Sequence, residues 1–420
     1  MQPTLEAQCL ALAQQARQAG KTLATAGTAA KNAWLHATAE RLLGEREAIL
    51  AANALDVAAA PGYGLTAASI DRLTLTAARV EAMAVGLRQV AVLPDPVGEV
   101  REGHTRPNGL SVLKVGVPLG VIFFLYESRP NITVDAAALC VKSGNAVILR
   151  GGKEAAHTNA ALTGFLQAEL TKHDLPVHAV QRVPSSDRAA VGHLLKLNQS
   201  IDLVIPRGGE SLIRRVAAEA TMPVLKHYTG NCHIFVDASC PYERAEAIVL
   251  NAKCQRPGVC NAVETILIHR DWAPGHLTRL GAALRAAGVE LRACPESRAL
   301  IPGALIATDA DYATEFLDLI LAVKMVSTLS EAVAVIDRYG SKHTDAILTQ
   351  DAGNARRFTQ LVDSAAVVVN ASTRFNDGFE LGFGAEIGIS TDKFHARGPC
   401  GLKELTSYKY ILTGDGQIRR

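Results

Sequence analysis

The chain has 420 residues, of which 48% are hydrophobic and 20% charged, and a formal net charge of +2. Such a length exceeds one compact core and predicts two or three domains, while the balanced charge excludes a disordered chain and a nucleic-acid surface, so small molecules are the expected partners. No apolar run approaches the roughly 20 residues of a membrane span, and the start MQPTLEAQCLALAQQARQ lacks a charged segment followed by a hydrophobic one, so a cytoplasmic protein without a membrane partner is expected.

The first ninety or so residues are Ala/Leu-rich with helical periodicity, interrupted near Pro61 to Gly64 and resuming at Asp71, which suits an N-cap. Between Gly98 and Gly116 the turn signal Pro107-Asn108-Gly109 is flanked by strand-like residues such as Ser111 to Val115, which predicts a protruding hairpin. From Gly120 strands and helices alternate: GVIFFLYE, a helix from Ile132, AVILR, a helix from Glu154, HAVQRV, a helix from Asp187, DLVIP and a helix from Glu210. Crossover-length helices between such strands predict a parallel doubly wound sheet. A second α/β unit starts near His233, with HIFVD, ETILIH, LAVKMV, DAILTQ and AAVVVN as strands and helices after Tyr242, around His276 to Ala287, after Ser330 and after Asp351. The last stretch, LTSYKYILTGDG, is rich in β-formers and is expected to pair with the hairpin or with another subunit.

Eight cysteines are dispersed without a CxxC pair, which supports neither a zinc site nor a disulfide framework and fits a reducing compartment. One of them, Cys260, lies in KCQRPGVCNAVE, a turn between a helical stretch and an apolar strand, where a thiol can be presented to a substrate. Gly258 would let the backbone approach closely, and the amides of Cys260 and Asn261 would serve a developing oxyanion. The strand ends of the first unit carry YESRPN (Tyr126 to Asn131), RGGKE (Arg150 to Glu154) and RGGE (Arg207 to Glu210). Each supplies an arginine and two supply glycine pairs, so a nucleotide phosphate is the expected ligand. No GxGxxG follows a strand, and Val147 stands where an NTPase phosphate loop needs glycine.

These segments, with NALD at Asn53, DRLTLT at Asp71, LPDPVGEV at Leu93, VPLGVIFFLYESRPNITVDAA, SGNAVILRGGKEA, IPRGGESLI, NAKCQRPGVCNAVET, LAVKMV, HTDAI, VNASTRFNDG and HARGPCGLKELTSYKY, give the chain a resemblance that runs nearly end to end. It resembles the gamma-glutamyl phosphate reductases, a branch of the aldehyde dehydrogenase superfamily acting in proline biosynthesis. The resemblance implies an aldehyde-dehydrogenase-like α/β fold: an NADP-binding domain at 1–97 and 118–230, a catalytic domain at 231–401, and a small β oligomerisation flap at 98–117 and 402–420. It implies Cys260 as nucleophile, Arg150 and Lys153 beside the cofactor's adenosine ribose and its 2'-phosphate, Gly208 and Gly209 at the cofactor phosphates, and Glu315 at the nicotinamide ribose.

Two departures from the wider superfamily accompany these matches. The water-activating glutamate is missing, its stretch reading Leu225-Lys226-His227-Tyr228-Thr229-Gly230, which agrees with phosphate as the deacylating nucleophile. The superfamily's oxyanion asparagine falls near ESRPN, where either Asn131 or Arg129 takes its place. The implied reaction is NADPH-dependent reduction of glutamyl 5-phosphate to the semialdehyde and phosphate through a Cys260 thioester. Arg129, Arg256, Arg397 and the backbone of Asn376 to Gly388 are candidates for the substrate's phosphate and carboxylate. Homo-oligomers are expected, as is association with the glutamate 5-kinase that makes the labile acyl phosphate. No metal is expected.

Overall fold

The computed structural model describes residues 3–184 and 187–419. Met1 and Gln2, where the reading of the N-terminus as leaderless begins, lie outside them. The chain forms two compact units: residues 1–226 with 383–388 and 400–420, and residues 227–382 with 389–399. The division falls at 226/227, four residues before the boundary expected from sequence, and the hairpin and C-terminal strand belong to the first unit.

That unit begins with helices Leu5–Leu23, Thr28–Gly44, Arg46–Ala59, Ala67–Leu73 and Ala77–Val92. The restart after Gly64 is at Ala67, not Asp71: Thr66 accepts from the Ser69 amide, and Thr76 caps the next helix by accepting from Arg79. Asp71 is inside the shorter helix, and its carboxylate instead takes the Arg79 guanidinium at 3.0 and 3.1 Å. A hydroxyl reaches back to the third amide of a helix, whereas an aspartate with an arginine two turns ahead is drawn to the ion pair.

Strands β1 (Val100–Thr105) and β2 (Ser111–Pro118) form the expected antiparallel hairpin, turning at Gly109 with φ +87°. The strand Thr406–Thr413 joins β2 antiparallel over eight residue pairs, so the C-terminal segment finds its partner within the chain. The parallel sheet follows with β3 (Val121–Tyr126), β4 (Ala146–Arg150), β5 (Val180–Arg182) and β6 (Leu203–Arg207), in the order β5-β4-β3-β6. Every residue of β3 is buried, as an inner parallel strand covered on both faces requires. Helices Asn131–Lys142, Ala156–Lys172, Ala189–Leu194 and Glu210–Glu219 follow the strands, within two residues of the expected starts.

The second unit is a seven-stranded parallel sheet of β7 (Cys232–Val236), β8 (Val263–His269), β9 (Glu290–Ala293), β10 (Leu305–Ile306), β11 (Ile320–Val326), β12 (Thr344–Leu348) and β13 (Ala366–Val369), ordered β10-β9-β11-β8-β7-β12-β13. One face is covered by Val249, Leu277, Leu280 and Leu284 from two helices, the other by Leu329, Val333, Ile336 and Phe358. Sequence reading misses β9 and β10, because ELRA and LI are short and carry little periodicity of their own.

The entry to β3 is tightly specified. Gly120 has φ +129°, its amide donates to Asn145 Oδ1 at 2.8 Å, and Asp202 Oδ2 accepts from the Val121 amide at 2.8 Å and from Arg17 at 2.5 Å. A Cβ at position 120 would collide with that Asp202 carboxylate. Gly120→Ala is therefore expected to lower the unfolding free energy by about 2–4 kcal/mol, read as a fall in the urea midpoint at unchanged m-value.

Candidate active site

The helix Tyr242–Cys254 ends eight residues before β8, and the turn between them carries Cys260. Six of the eight cysteines are buried, leaving Cys254 and Cys260 half-buried. Burial pushes the thiols of Cys232, Cys240 and Cys254 up, that of Cys240 to about 11, and so keeps them protonated. Cys260 alone combines accessibility with a place in the turn.

That turn is clamped from several directions within its unit. Gly230 is packed so closely that a Cβ there would lie 2.5 Å from the Cys260 Cα and would run into its carbonyl oxygen. The Cys232 thiol, at the start of β7, donates to that carbonyl at 3.2 Å. The neighbouring Asn261 donates its side-chain amide to the carbonyls of Arg374 (3.3 Å) and Asn376 (3.1 Å), and Arg374 Nε donates to Gln255 Oε1 at 2.8 Å. The close approach expected at Gly258 is found at Gly230 instead: a Cβ on Gly258 would meet only Leu317 O, at 3.7 Å.

Beneath the turn lies a fully buried ion pair, Lys253 Nζ to Glu264 Oε2 at 2.5 Å. Burial pushes the Glu264 carboxyl up to about 7, with Lys253 and the Leu317 amide pulling the other way. The second carboxyl oxygen accepts from that amide at 3.3 Å, where Leu317 has φ +54°. The pair thus ties the last turn of the helix, the start of β8 and the 313–319 loop together.

Two histidines complete the surroundings of the thiol. Cys260 Sγ and one ring nitrogen from each of His227 and His343 lie within 4.8 Å of one another. The rings meet edge to face with centroids 5.3 Å apart. His227 Nδ1 is 3.1 Å from Ile389 O, while His343 Nδ1 is 2.7 Å from Thr344 Oγ1.

In the first unit the strand-end loops are locked to each other. Glu154 accepts from the Ser128 amide (2.7 Å) and hydroxyl (2.9 Å), joining RGGKE to YESRPN. A Cβ on Gly151 would strike Asn159 and lie 3.1 Å from the Tyr126 ring, and one on Gly208 would strike the Glu127 carboxylate. The Gly209 amide, at the N-terminus of helix Glu210–Glu219, donates to Glu127 Oε2 at 3.0 Å, so this position already holds an anionic group. Arg150 is half-buried and near enough to Arg182 and Arg188 to feel their charge.

A sequence model of the aldehyde dehydrogenase family matches residues 2–313. Gamma-glutamyl phosphate reductase from Rhodopirellula baltica is 56% identical over 415 residues, 99% of this chain and 96% of that protein, and the one from Moorella thermoacetica is 54% identical over 97% of each. The crystal structure of the Thermotoga maritima gamma-glutamyl phosphate reductase superposes with a TM-score of 0.96 at 44% identity, covering 98% of this chain and 100% of that one. The chain belongs to the gamma-glutamyl phosphate reductase family. It is an oxidoreductase of the aldehyde dehydrogenase superfamily, which works with a nicotinamide cofactor.

The residues singled out from sequence divide between the units. Arg129, Asn131, Arg150, Lys153, Gly208 and Gly209 belong to the first, and Arg256, Cys260, Glu315 and Arg397 to the second. Asn131 opens the helix Asn131–Lys142 and donates to Asp135 at 2.9 Å, whose carboxyl burial pushes up to about 6. Arg129 is exposed, and Lys153 stacks its ammonium 4.7 Å from the Tyr63 ring centre. Glu315 is half-buried in the loop before β11. Arg397 is held by Asp363, donating at 2.8 Å to both its carboxylate and its carbonyl. The sequence does not single out Arg374, half-buried and within range of the charges of Arg256 and Cys260, nor Gly230, Cys232, Glu264 and His343 around Cys260. Only the spacing-free fact of their nearness in space marks them.

Removing one member of the Lys253–Glu264 pair leaves the other buried without its partner. Lys253→Met is expected to cost about 3–5 kcal/mol, and the double variant Lys253→Met/Glu264→Leu to recover most of it, as measured by chemical denaturation.

Proposed function

We propose that this chain reduces L-glutamyl 5-phosphate to L-glutamate 5-semialdehyde with NADPH, releasing phosphate through a thioester on Cys260, as the second step of proline biosynthesis from glutamate. The observation carrying this reading is the clamped, half-buried Cys260 in a helix-to-strand turn of a chain whose relatives, matched over nearly their full length, are gamma-glutamyl phosphate reductases.

The residues fit the cofactor on chemical grounds. The Gly209 amide at a helix N-terminus already donates to a carboxylate and would hold a phosphate in its place, with Gly208 keeping the approach open. Arg150, with Arg182 and Arg188 nearby and Lys153 on the same loop, supplies positive charge for a 2'-phosphate. Glu315 would hold the nicotinamide ribose. When bound, the reduced dinucleotide supplies a hydride.

Cys260 attacks the γ-carbonyl, its sulfur–carbon bond forms, and the carbon–oxygen bond to phosphate breaks without a strong acid, since phosphate is a good leaving group. The thioester is electrophilic enough to take a hydride where a carboxylate is not. The Cys260 amide would meet the developing oxyanion. Arg256 and Arg374 beside the turn, together with Arg129, would neutralise the substrate's phosphate and carboxylate; Arg397, committed to Asp363, would shape the 389–399 segment. The absence of a carboxylate from 225–230 leaves water without a base and the thioester to phosphate.

Assayed in reverse with the semialdehyde, phosphate and NADP, the protein is expected to form NADPH with a strong preference over NADH. Cys260→Ser is expected to reduce turnover by at least about 1,000-fold while leaving the melting temperature unchanged. Coenzyme A replacing phosphate as the better acyl acceptor would assign the chain to acylating aldehyde dehydrogenase chemistry, and full turnover by Cys260→Ser would remove the thioester.

The sheet of β1, β2 and Thr406–Thr413 exposes Val100, Tyr408, Tyr410, Ile411 and Leu412, a set of apolar side chains suited to a second copy. A homo-oligomer built on this flap, and association with glutamate 5-kinase to shelter the acyl phosphate, belong to the same reading. Light scattering is expected to show more than one subunit, with Tyr410→Asp/Leu412→Asp shifting the population to monomer; a monomeric wild type would remove the role of the flap.

A further inference from the structure

A thiol must lose its proton before it attacks, and a free thiol with a pKa near ~8.5 is only a few per cent ionised at neutral pH. The stretch 225–230 offers no carboxylate, yet it is pressed against the nucleophile through Gly230 and presents an imidazole three residues earlier. Cys260 and His343 lie about that imidazole, with Cys232 3.7 Å from His343, Arg374 near enough to interact with Cys260, and Glu264 and Asp345 interacting with Cys232.

We propose that His227 is the catalytic base that takes the proton from Cys260. The tautomer follows from the hydrogen bond on the far side of the ring. Ile389 O can only accept, so at 3.1 Å it fixes the proton on Nδ1 and leaves Nε2 with its lone pair. The same carbonyl stabilises the cation once Nε2 is protonated. One ring nitrogen of His227 and Cys260 Sγ lie within 4.8 Å of each other, and with Nδ1 engaged by Ile389 O the nitrogen open to the thiol is Nε2, which reaches hydrogen-bond contact by a movement of the side chains.

His343 is the weaker choice. It is fully buried, its Nδ1 is taken up by Thr344 Oγ1 at 2.7 Å and lies 3.7 Å from Cys232 Sγ, and a cation there would be made in the interior. His227 is half-buried, so its charged form keeps some hydration. The edge-to-face packing of the two rings makes His343 a positioning residue that sets the plane of His227.

The proton balance closes without another reactant. The S–H bond of Cys260 breaks, the proton moves to His227 Nε2, and the thiolate forms the S–C bond as phosphate leaves with the electron pair of the C–O bond. After reduction the C–S bond breaks, the oxygen becomes the aldehyde carbonyl, and the departing thiolate recovers its proton from the imidazolium. These later steps rest on the reductase reading; the first does not.

The test therefore uses alkylation of Cys260 by iodoacetamide, which needs neither substrate nor cofactor, followed by peptide mapping across pH in the wild type, His227→Gln and His227→Asn. The wild type is expected to alkylate at neutral pH at least about tenfold faster than a free thiol. In either His227 variant that advantage is expected to disappear, with wild-type rates regained at high pH where the thiolate forms unaided. In turnover, kcat is expected to fall about 100-fold with KM for the semialdehyde unchanged. A wild-type profile that follows a single free-thiol curve would overturn the proposal even if neither variant folds, and so would a variant whose rate drops equally at every pH. Failure of the reductase reading would show differently, as normal alkylation profiles with no reduction of the acyl phosphate.

Discussion

The contact between Gly230 and the backbone of Cys260 leaves no volume for a side chain, and the rest of the site is arranged around that restriction. A nucleophile on a turn is only as well aimed as its main chain, because one ångström of drift can cost orders of magnitude in rate. Here the carbonyl of Cys260 is fixed by the Cys232 thiol, the next residue by two carbonyls of the 374–376 segment, and the floor by Lys253 and Glu264. Each clamp comes from a different element of the second unit, so the turn is defined by that unit's folding as a whole.

The buried ion pair is the costly part of this arrangement. Taking two charges out of water opposes folding, and an apolar pair of the same volume would often do as well for stability alone. What an apolar pair cannot do is accept the Leu317 amide. Glu264 serves Lys253 with one oxygen and the 313–319 loop, which carries Glu315, with the other. The position of Glu315 is thereby linked to the position of the turn through one carboxylate, a form of specificity that a hydrophobic contact lacks. At the strand ends of the first unit Arg150 stands close to Arg182 and Arg188 with like sign, offset in part by the Glu154 carboxylate, and the Gly209 amide is met by the Glu127 carboxylate. A group of cations held together costs energy that an anionic ligand would recover.

The sheets were legible in the sequence because parallel strands buried on both faces are runs such as VIFFLY and AVILR, bounded by glycine and arginine loops that mark their ends. Strands β9 and β10 were not, since ELRA and LI acquire their strand character from β11 alongside rather than from composition. Threonine caps displaced Asp71 for a similar reason, the choice being made by an arginine eight residues on. Around the nucleophile, residues within a single turn could be read, while Gly230, Cys232, His343 and Arg374 approach Cys260 from positions 28 to 114 residues distant in sequence. No spacing rule connects them, and tertiary contact alone assigns their roles. The resemblance supplied Cys260 and the order of segments, yet it gave no hint that Arg397 would be held by Asp363.

Water is the competitor that any thioester enzyme must manage, and on the proposed reading the stretch 225–230 offers one physical way to do so. A carboxylate there would need room beside the sulfur for a water molecule and a free lone pair aimed at it. Gly230 packs against the Cys260 backbone, and the ring of His227, tethered through Nδ1 to Ile389 O, offers a single lone pair in one direction. An imidazole so held can exchange a proton with sulfur, but once protonated it has no lone pair with which to activate water. On the proposed thioester route the base would be occupied while the acyl group is on the enzyme, and the acyl group would wait for hydride or phosphate. Protecting the thioester and activating the thiol then become two consequences of one histidine's hydrogen bond to the backbone.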